Sequence, residues 1–198
     1  MATRIFLVRH GETQWSLTGQ HTGRTDLPLT ENGEQRAARL GGLLQGTTFA
    51  QVLTSPLQRA RRTCELAGFG AGARMEPDLR EWDYGDYEGL TTDEIHARNP
   101  GWELFRDGCP DGESLEQVSE RADRVLAGLR PADGTVALFS HGHFLRALAA
   151  RWIGLPVRDG RHFALGTASL SILGFEHPGD GIAAISLWNA SSDAALLR

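Results

Sequence analysis

Two short stretches place histidine where it can do chemistry: Arg9-His10-Gly11-Glu12-Thr13 and Ser140-His141-Gly142-His143. A neutral imidazole, with a reference pKa near ~6.5, attacks an electrophile near neutral pH without a separate base. Glycine after each leading histidine lets the backbone approach closely and turn an N–H toward an anion. A third stretch, beginning Ser55-Pro56, carries Arg59, Arg61 and Arg62. All 20 basic residues are arginine and none is lysine. Lysine Schiff-base chemistry and a P-loop lysine are therefore excluded. What remains is a set of planar, permanently charged forks suited to carboxylates or phosphates.

These residues need elements that bring them together. Ile5–Val8 and Val136–Phe139 are continuous apolar runs, the pattern of central strands buried on both faces, and Gln51–Leu53 is a weaker third. Helical patterns fall between them. Thr30 caps one that carries Ala37, Leu40 and Leu44. Ser55 with Pro56 opens a second, and Ser114 caps a third with Leu115, Val118, Ala122, Val125 and Leu129 on one stripe. A fourth comes after His143. Gly68–Gly72 reads as a helix exit into a loop rather than a domain boundary. Late strands are expected over Leu170–Phe175 and Ile182–Trp188, joined by the turn His177-Pro178-Gly179-Asp180. The expectation is a single domain over residues 1–198, an α/β three-layer sandwich with a mostly parallel, mixed sheet. Ligands of such sheets bind outside the carboxyl ends of the strands, where His10, His141 and the arginines all fall.

Four chemistries compete for that rim. A divalent metal would draw on His141, His143 and Asp83, but Arg9 beside His10 repels a cation. A Ser-His-Asp triad lacks a GxSxG elbow. Inert core histidines are the bland reading, weakened when two arrive at strand ends beside Gly and Arg. The fourth is a phosphate pocket in which one imidazole is the nucleophile.

Arg9-His10-Gly11-Glu12-Thr13 resembles the RHG signature of the histidine phosphatase (phosphoglycerate mutase-like) superfamily. Thr25–Thr30, Ser55–Ala60, Leu79–Gly85 and Ser140–Gly142 come after it in that family's order and cover most of the chain. The stretches Trp15–Gly23 and Glu81–Leu90 are similar to those of bacterial broad-specificity acid phosphatases and of fungal sedoheptulose-bisphosphatase-like members. The resemblance implies a phosphoglycerate mutase-like fold and specific roles. His10 matches the phosphorylated nucleophile. Arg9, Arg59 and His141 match the cluster that clamps the equatorial phosphoryl oxygens, a task given to magnesium elsewhere. Glu81 matches the general acid and base, with neighbouring Trp82 supplying desolvation. Ser16 stands where many relatives have Asn, a departure that shortens its reach to phosphate. Thr22, Gly23 and Gly142 are expected to add phosphate contacts, with Arg24 at a less constant position. Glu12 reads as an acceptor that orients pocket groups, His143 as loop support, His96 and His177 as exposed polar residues, and Arg61 and Arg62 as solvated helix charges.

The family holds both hydrolases and mutases. Between Glu81 and His141 the chain is short and rich in acids, with no added basic segment to exclude water, which favours a phosphatase over a phosphoglycerate mutase. A catalytically silent phosphate-binding module is disfavoured because His10, Arg59, Glu81 and His141 are all present. Trp82, Tyr84, Trp102 and Phe105 are expected at the mouth, covering an organic leaving group. The substrate class is a small phosphorylated metabolite, with no cofactor and no metal. A net charge of −5 argues against a nucleic-acid or anionic-membrane surface, and no apolar run reaches the length of a membrane helix. A start that enters a strand at once and two cysteines without a CxxC partner suggest a cytoplasmic protein. A homodimer is admitted but not required.

Overall fold

In the computed structural model, which describes residues 4–129, 134–177 and 181–191, the chain builds one six-stranded sheet. In chain order the elements are β1 (Arg4–Arg9), α1 (Gln14–Thr18), α2 (Glu31–Leu44), β2 (Gln51–Thr54), α3 (Gln58–Leu66) and β3 (Ala73–Met75). Next come α4 (Thr92–Arg98), α5 (Leu104–Asp107), α6 (Leu115–Leu129), β4 (Thr135–Ser140), α7 (Gly142–Trp152), β5 (Ser169–Phe175) and β6 (Ala183–Ser191). The strand order is β3-β2-β4-β1-β5-β6. β3, β2, β4 and β1 run parallel, while β5 and β6 are antiparallel, so the sheet is mixed as expected.

The apolar runs divide by parity, because successive strand side chains point to opposite faces. Ile5, Leu7, Val136 and Leu138 pack on the face covered by α6 and α7. Phe6, Val8, Ala137 and Phe139 pack on the other face, with Leu40 and Leu44 of α2 and Cys64 of α3. That is a three-layer sandwich. No helix among the described residues is long and apolar enough to cross a membrane.

Several boundaries differ from the sequence expectation for local reasons. Thr30 caps α2 through Gly33 N at 2.9 Å, and Ser114 caps α6 through Gln117 N at 3.3 Å, both as expected. Ser55 does not open α3. The helix starts at Gln58, whose N–H is taken by Asp26 Oδ1 at 2.7 Å, while the Ser55 hydroxyl accepts from Leu57 N at 3.3 Å and faces His141 Nε2. α7 begins earlier than expected, at Gly142, with His141 as its N-cap residue. Gly68 takes a positive φ of 92° after α3, but the chain beyond it soon pairs as the three-residue edge strand β3, too short to carry a pattern. Of the expected late turn, Pro178, Gly179 and Asp180 lie outside the described residues.

Candidate active site

Parallel pairing of β1 and β4 places Arg9 opposite Ser140, so the next residues, His10 and His141, leave the sheet side by side. Their ring centroids are 5.1 Å apart. His10 is 5% exposed, and its Nδ1 lies 2.7 Å from the Gly11 carbonyl. A carbonyl only accepts, so Nδ1 carries the proton and Nε2 keeps its lone pair. Burial holds the His10 imidazole well below its ordinary pKa, and the charges of Arg59 and Arg9 add to that against the Gly11 hydrogen bond. The ring is held neutral.

His141 is fixed from both sides. Arg59 Nε donates to its Nδ1 at 3.1 Å, so Nε2 bears the hydrogen and faces Ser55 Oγ at 2.8 Å. Its pKa is also pushed well down, by burial first and then by Arg59. The Arg59 guanidinium is fully buried and donates further to the carbonyls of Thr25, Thr22 and Gly23 at 2.8, 3.0 and 2.8 Å. Arg59 therefore stands behind the pocket and ties the 22–25 loop to His141. Arg9 holds the complementary position on the cavity wall. Its Nη1 donates to the Leu165 carbonyl, while its buried Nε has no partner among the described residues. A Cβ on Gly142 would come within 3.1 Å of the Arg9 guanidinium carbon, so glycine there leaves room for the arginine.

Glu81 sits at the start of α7. Its Oε1 accepts from Phe144 N at 2.8 Å and Trp82 N at 3.0 Å, and its Oε2 accepts from His143 N at 3.1 Å. Helix N-terminal N–H groups are natural partners for a carboxylate. Glu81, Arg9, His10 and Gly142 share one cavity of about 270 Å³ with Ser16, Thr22 and Tyr84. His21, His143 and Arg146 also line it.

Other expected residues take different positions. Ser16 lines the cavity, but its hydroxyl is engaged with Thr13 N and O, both at 2.9 Å, in the capping box of α1. The Thr22 carbonyl serves Arg59. Gly23 is not free to bind phosphate through its N–H, which goes to both Glu88 carboxylate oxygens at 3.0 and 2.9 Å. Arg24 is largely exposed, pairs with Asp83 at 2.6 Å and lines a separate dent. The aromatic mouth needs correction. Tyr84 reaches the cavity, whereas Trp82, Trp102 and Phe105 are core residues. The two indole N–H groups explain this, because each finds a carbonyl inside: Glu113 at 2.9 Å and Gly108 at 2.7 Å. Glu12 holds Thr30 and Asn32 at the head of α2 rather than orienting pocket groups. His143 lines the cavity, and His96 is half-buried with its Nε2 2.9 Å from the Trp102 carbonyl. His177, Arg61 and Arg62 are exposed.

Sequence reasoning missed His21 and Arg146 as cavity residues. His21 lies in a loop without a pattern, but Arg146 lies three residues beyond His143 on α7, a spacing that puts both on one helix face. No cluster of three or more His, Cys, Asp or Glu positioned to hold a metal ion occurs among the described residues.

The model of the histidine phosphatase superfamily (branch 1) matches residues 5–190. An acid phosphatase of Mycobacterium tuberculosis is 46% identical over 178 residues, covering 88% of this chain and 87% of its own. Sedoheptulose 1,7-bisphosphatase of Saccharomyces cerevisiae is 37% identical over 190 residues, covering 80% and 70%. A probable phosphoglycerate mutase of Cronobacter sakazakii is 34% identical, covering 87% and 85%. A solved M. tuberculosis open-reading-frame product superposes with a TM-score of 0.89 at 40% identity, covering 96% of this chain and 98% of its own. With the paired histidines at the ends of β1 and β4 and a match that runs nearly the length of the chain, this protein belongs to the histidine phosphatase superfamily.

Proposed function

We propose that this chain is a phosphomonoesterase that works through a phosphohistidine on His10, without a metal, on small phosphorylated metabolites such as sugar phosphates. The observation that carries this reading is the His10 ring itself: buried, held neutral, its Nδ1–H on the Gly11 carbonyl and its Nε2 lone pair free beside Arg9. Nε2 attacks phosphorus, the ester P–O bond breaks, and the leaving oxygen takes a proton from Glu81. Water then attacks the phosphohistidine and gives its proton to the Glu81 carboxylate. The N–P bond breaks, releasing phosphate and restoring the neutral imidazole. Arg9 supplies fixed positive charge to the phosphoryl oxygens, and Arg59 holds the neutral His141 ring against Ser55 behind His10. The names of the acid phosphatase and bisphosphatase relatives support hydrolysis of phosphate esters.

The mutase-named relative makes the fate of the phosphoenzyme the point to test. Quenched turnover should trap an acid-labile phosphoenzyme in the wild type and none in His10→Ala. A panel of phosphorylated metabolites that includes 3-phosphoglycerate should release inorganic phosphate. Interconversion of 3- and 2-phosphoglycerate without phosphate release would make the chain a mutase instead.

A further inference from the structure

Glu81 lies in a stretch, residues 80–84, that is neither helix nor strand, so its backbone groups find partners outside regular structure. Arg121 of α6 supplies three of them. This arginine is 6% exposed and stands apart from the residues that line the catalytic cavity. Its Nη1 donates to the carbonyls of Asp78 and Arg80 at 2.9 and 2.7 Å, and its Nη2 to the Glu81 carbonyl at 3.3 Å. Its Nε and Nη2 reach the two carboxylate oxygens of Glu113 at 2.8 and 2.6 Å. A guanidinium has five N–H groups, and here all are in use.

Further contacts connect this fork to the Glu81 carboxyl. Glu113 holds the chain on the other side of Glu81. Its Oε2 accepts from Asp83 N at 3.0 Å, its own N–H donates to the Asp83 carbonyl at 3.0 Å, and its carbonyl accepts from the Trp82 indole at 2.9 Å. The Arg121 guanidinium carbon lies 4.2 Å from the centre of the Phe144 ring. Phe144 N is the donor that meets Glu81 Oε1 at 2.8 Å. The ion pair therefore grips the backbone before and after Glu81 and packs against a residue that orients its side chain. Burying such a pair adds little stability, because desolvation offsets much of the attraction. What a planar fork with five aimed donors does well is fix position.

We propose that Arg121, held by Glu113, is a positioning residue for Glu81: it fixes the 78–83 backbone so that the carboxyl stands at the leaving oxygen. This rests on the acid role given to Glu81 above. The test compares kcat/KM for an alkyl phosphate, whose alkoxide needs a proton as it leaves, with that for p-nitrophenyl phosphate, whose nitrophenolate does not. In Arg121→Met the ratio of the alkyl to the nitrophenyl value should fall about 10- to 100-fold, the cost of a displacement of about 1 Å. KM for p-nitrophenyl phosphate should stay near its wild-type value. A purely structural loss would lower both esters together and leave the ratio alone. The same change made in Glu81→Gln should lower the ratio no further, because two substitutions that act through one group are not additive. Arg121→Met combined with Glu113→Gln removes both charges while keeping an acceptor for Asp83 N, and it should show the same fall where Arg121→Met alone does not fold. If Glu81→Gln lowers the ratio and the Arg121 variants do not, or if their loss adds in full to that of Glu81→Gln, the positioning role is overturned. If Glu81→Gln itself leaves the ratio unchanged, the acid reading fails and takes the role of Arg121 with it.

Discussion

Arg59 Nε donates to His141 Nδ1 across 3.1 Å, and this contact decides which nitrogen of the second histidine carries hydrogen. A guanidinium cannot accept, so Nδ1 must be bare and Nε2 protonated. The same guanidinium spans the carbonyls of Thr22, Gly23 and Thr25. A lysine ammonium has the charge but not the fork. Arg59→Lys should therefore lose at least about 100-fold in kcat and about 3 kcal/mol of stability by urea unfolding. A variant with wild-type rate and midpoint would show that positive charge alone is needed there.

Three backbone N–H groups hold the Glu81 carboxyl oxygens in the cavity. In the proposed reaction it gives a proton to the leaving oxygen and then takes one from water. Glu81→Gln should slow hydrolysis of an alkyl phosphate by roughly 10²–10⁴-fold. The loss with p-nitrophenyl phosphate should be smaller, because nitrophenolate leaves without a proton. Steady-state rates on the two esters check this, and equal losses would remove Glu81 from the acid role.

The paired histidines were legible in sequence because each comes directly after an apolar run buried on both faces, and parallel neighbours deliver their carboxyl-terminal residues to one rim. Arg59 was legible as a site residue but not in its position, since its acceptors are carbonyls of a loop 34 to 37 residues earlier in the chain. Backbone acceptors leave no mark on residue type. Trp82 and Trp102 misled for a related reason: an indole in an acid-rich stretch looks like a mouth residue until its N–H finds a buried carbonyl. β3 escaped because three residues of an exposed edge carry no periodicity.

Glu88 holds the loop that Arg59 grips. Its carboxylate takes the N–H groups of Gly23 and Thr25, while the carbonyls of those residues take Arg59. Glu88→Ala should speed amide exchange at positions 23 and 25, lower stability by about 1–3 kcal/mol and reduce kcat more than it raises KM. Glu88→Gln keeps one acceptor oxygen and should recover part of each. Unchanged exchange at both amides would show that the loop stands without this carboxylate.

In the proposed reaction, fixed guanidinium charge at Arg9 stands in for the divalent cation of many phosphoryl-transfer sites. Prolonged chelation should leave turnover unchanged. Inhibition by EDTA that magnesium reverses would contradict that assignment.

His10 and His141 link catalysis to acid stability. Both rings have pKa values well below the ordinary 6.5, from burial first and neighbouring arginines second. The unfolded chain takes up protons as pH falls through about 6.5, while the folded chain does not until far lower pH. Folding stability is therefore full above about 6.5 and declines below it, by up to about 1.4 kcal/mol per pH unit for each ring, until the folded rings themselves protonate. The same shift holds the His10 ring neutral on the acid side of neutrality, as the proposed nucleophile requires. Urea midpoints should thus fall steadily from about pH 7 to about pH 5 while kcat persists. A midpoint flat across that range would mean that the two imidazoles are already charged in the folded protein, and a charged imidazole has no lone pair with which to attack phosphorus.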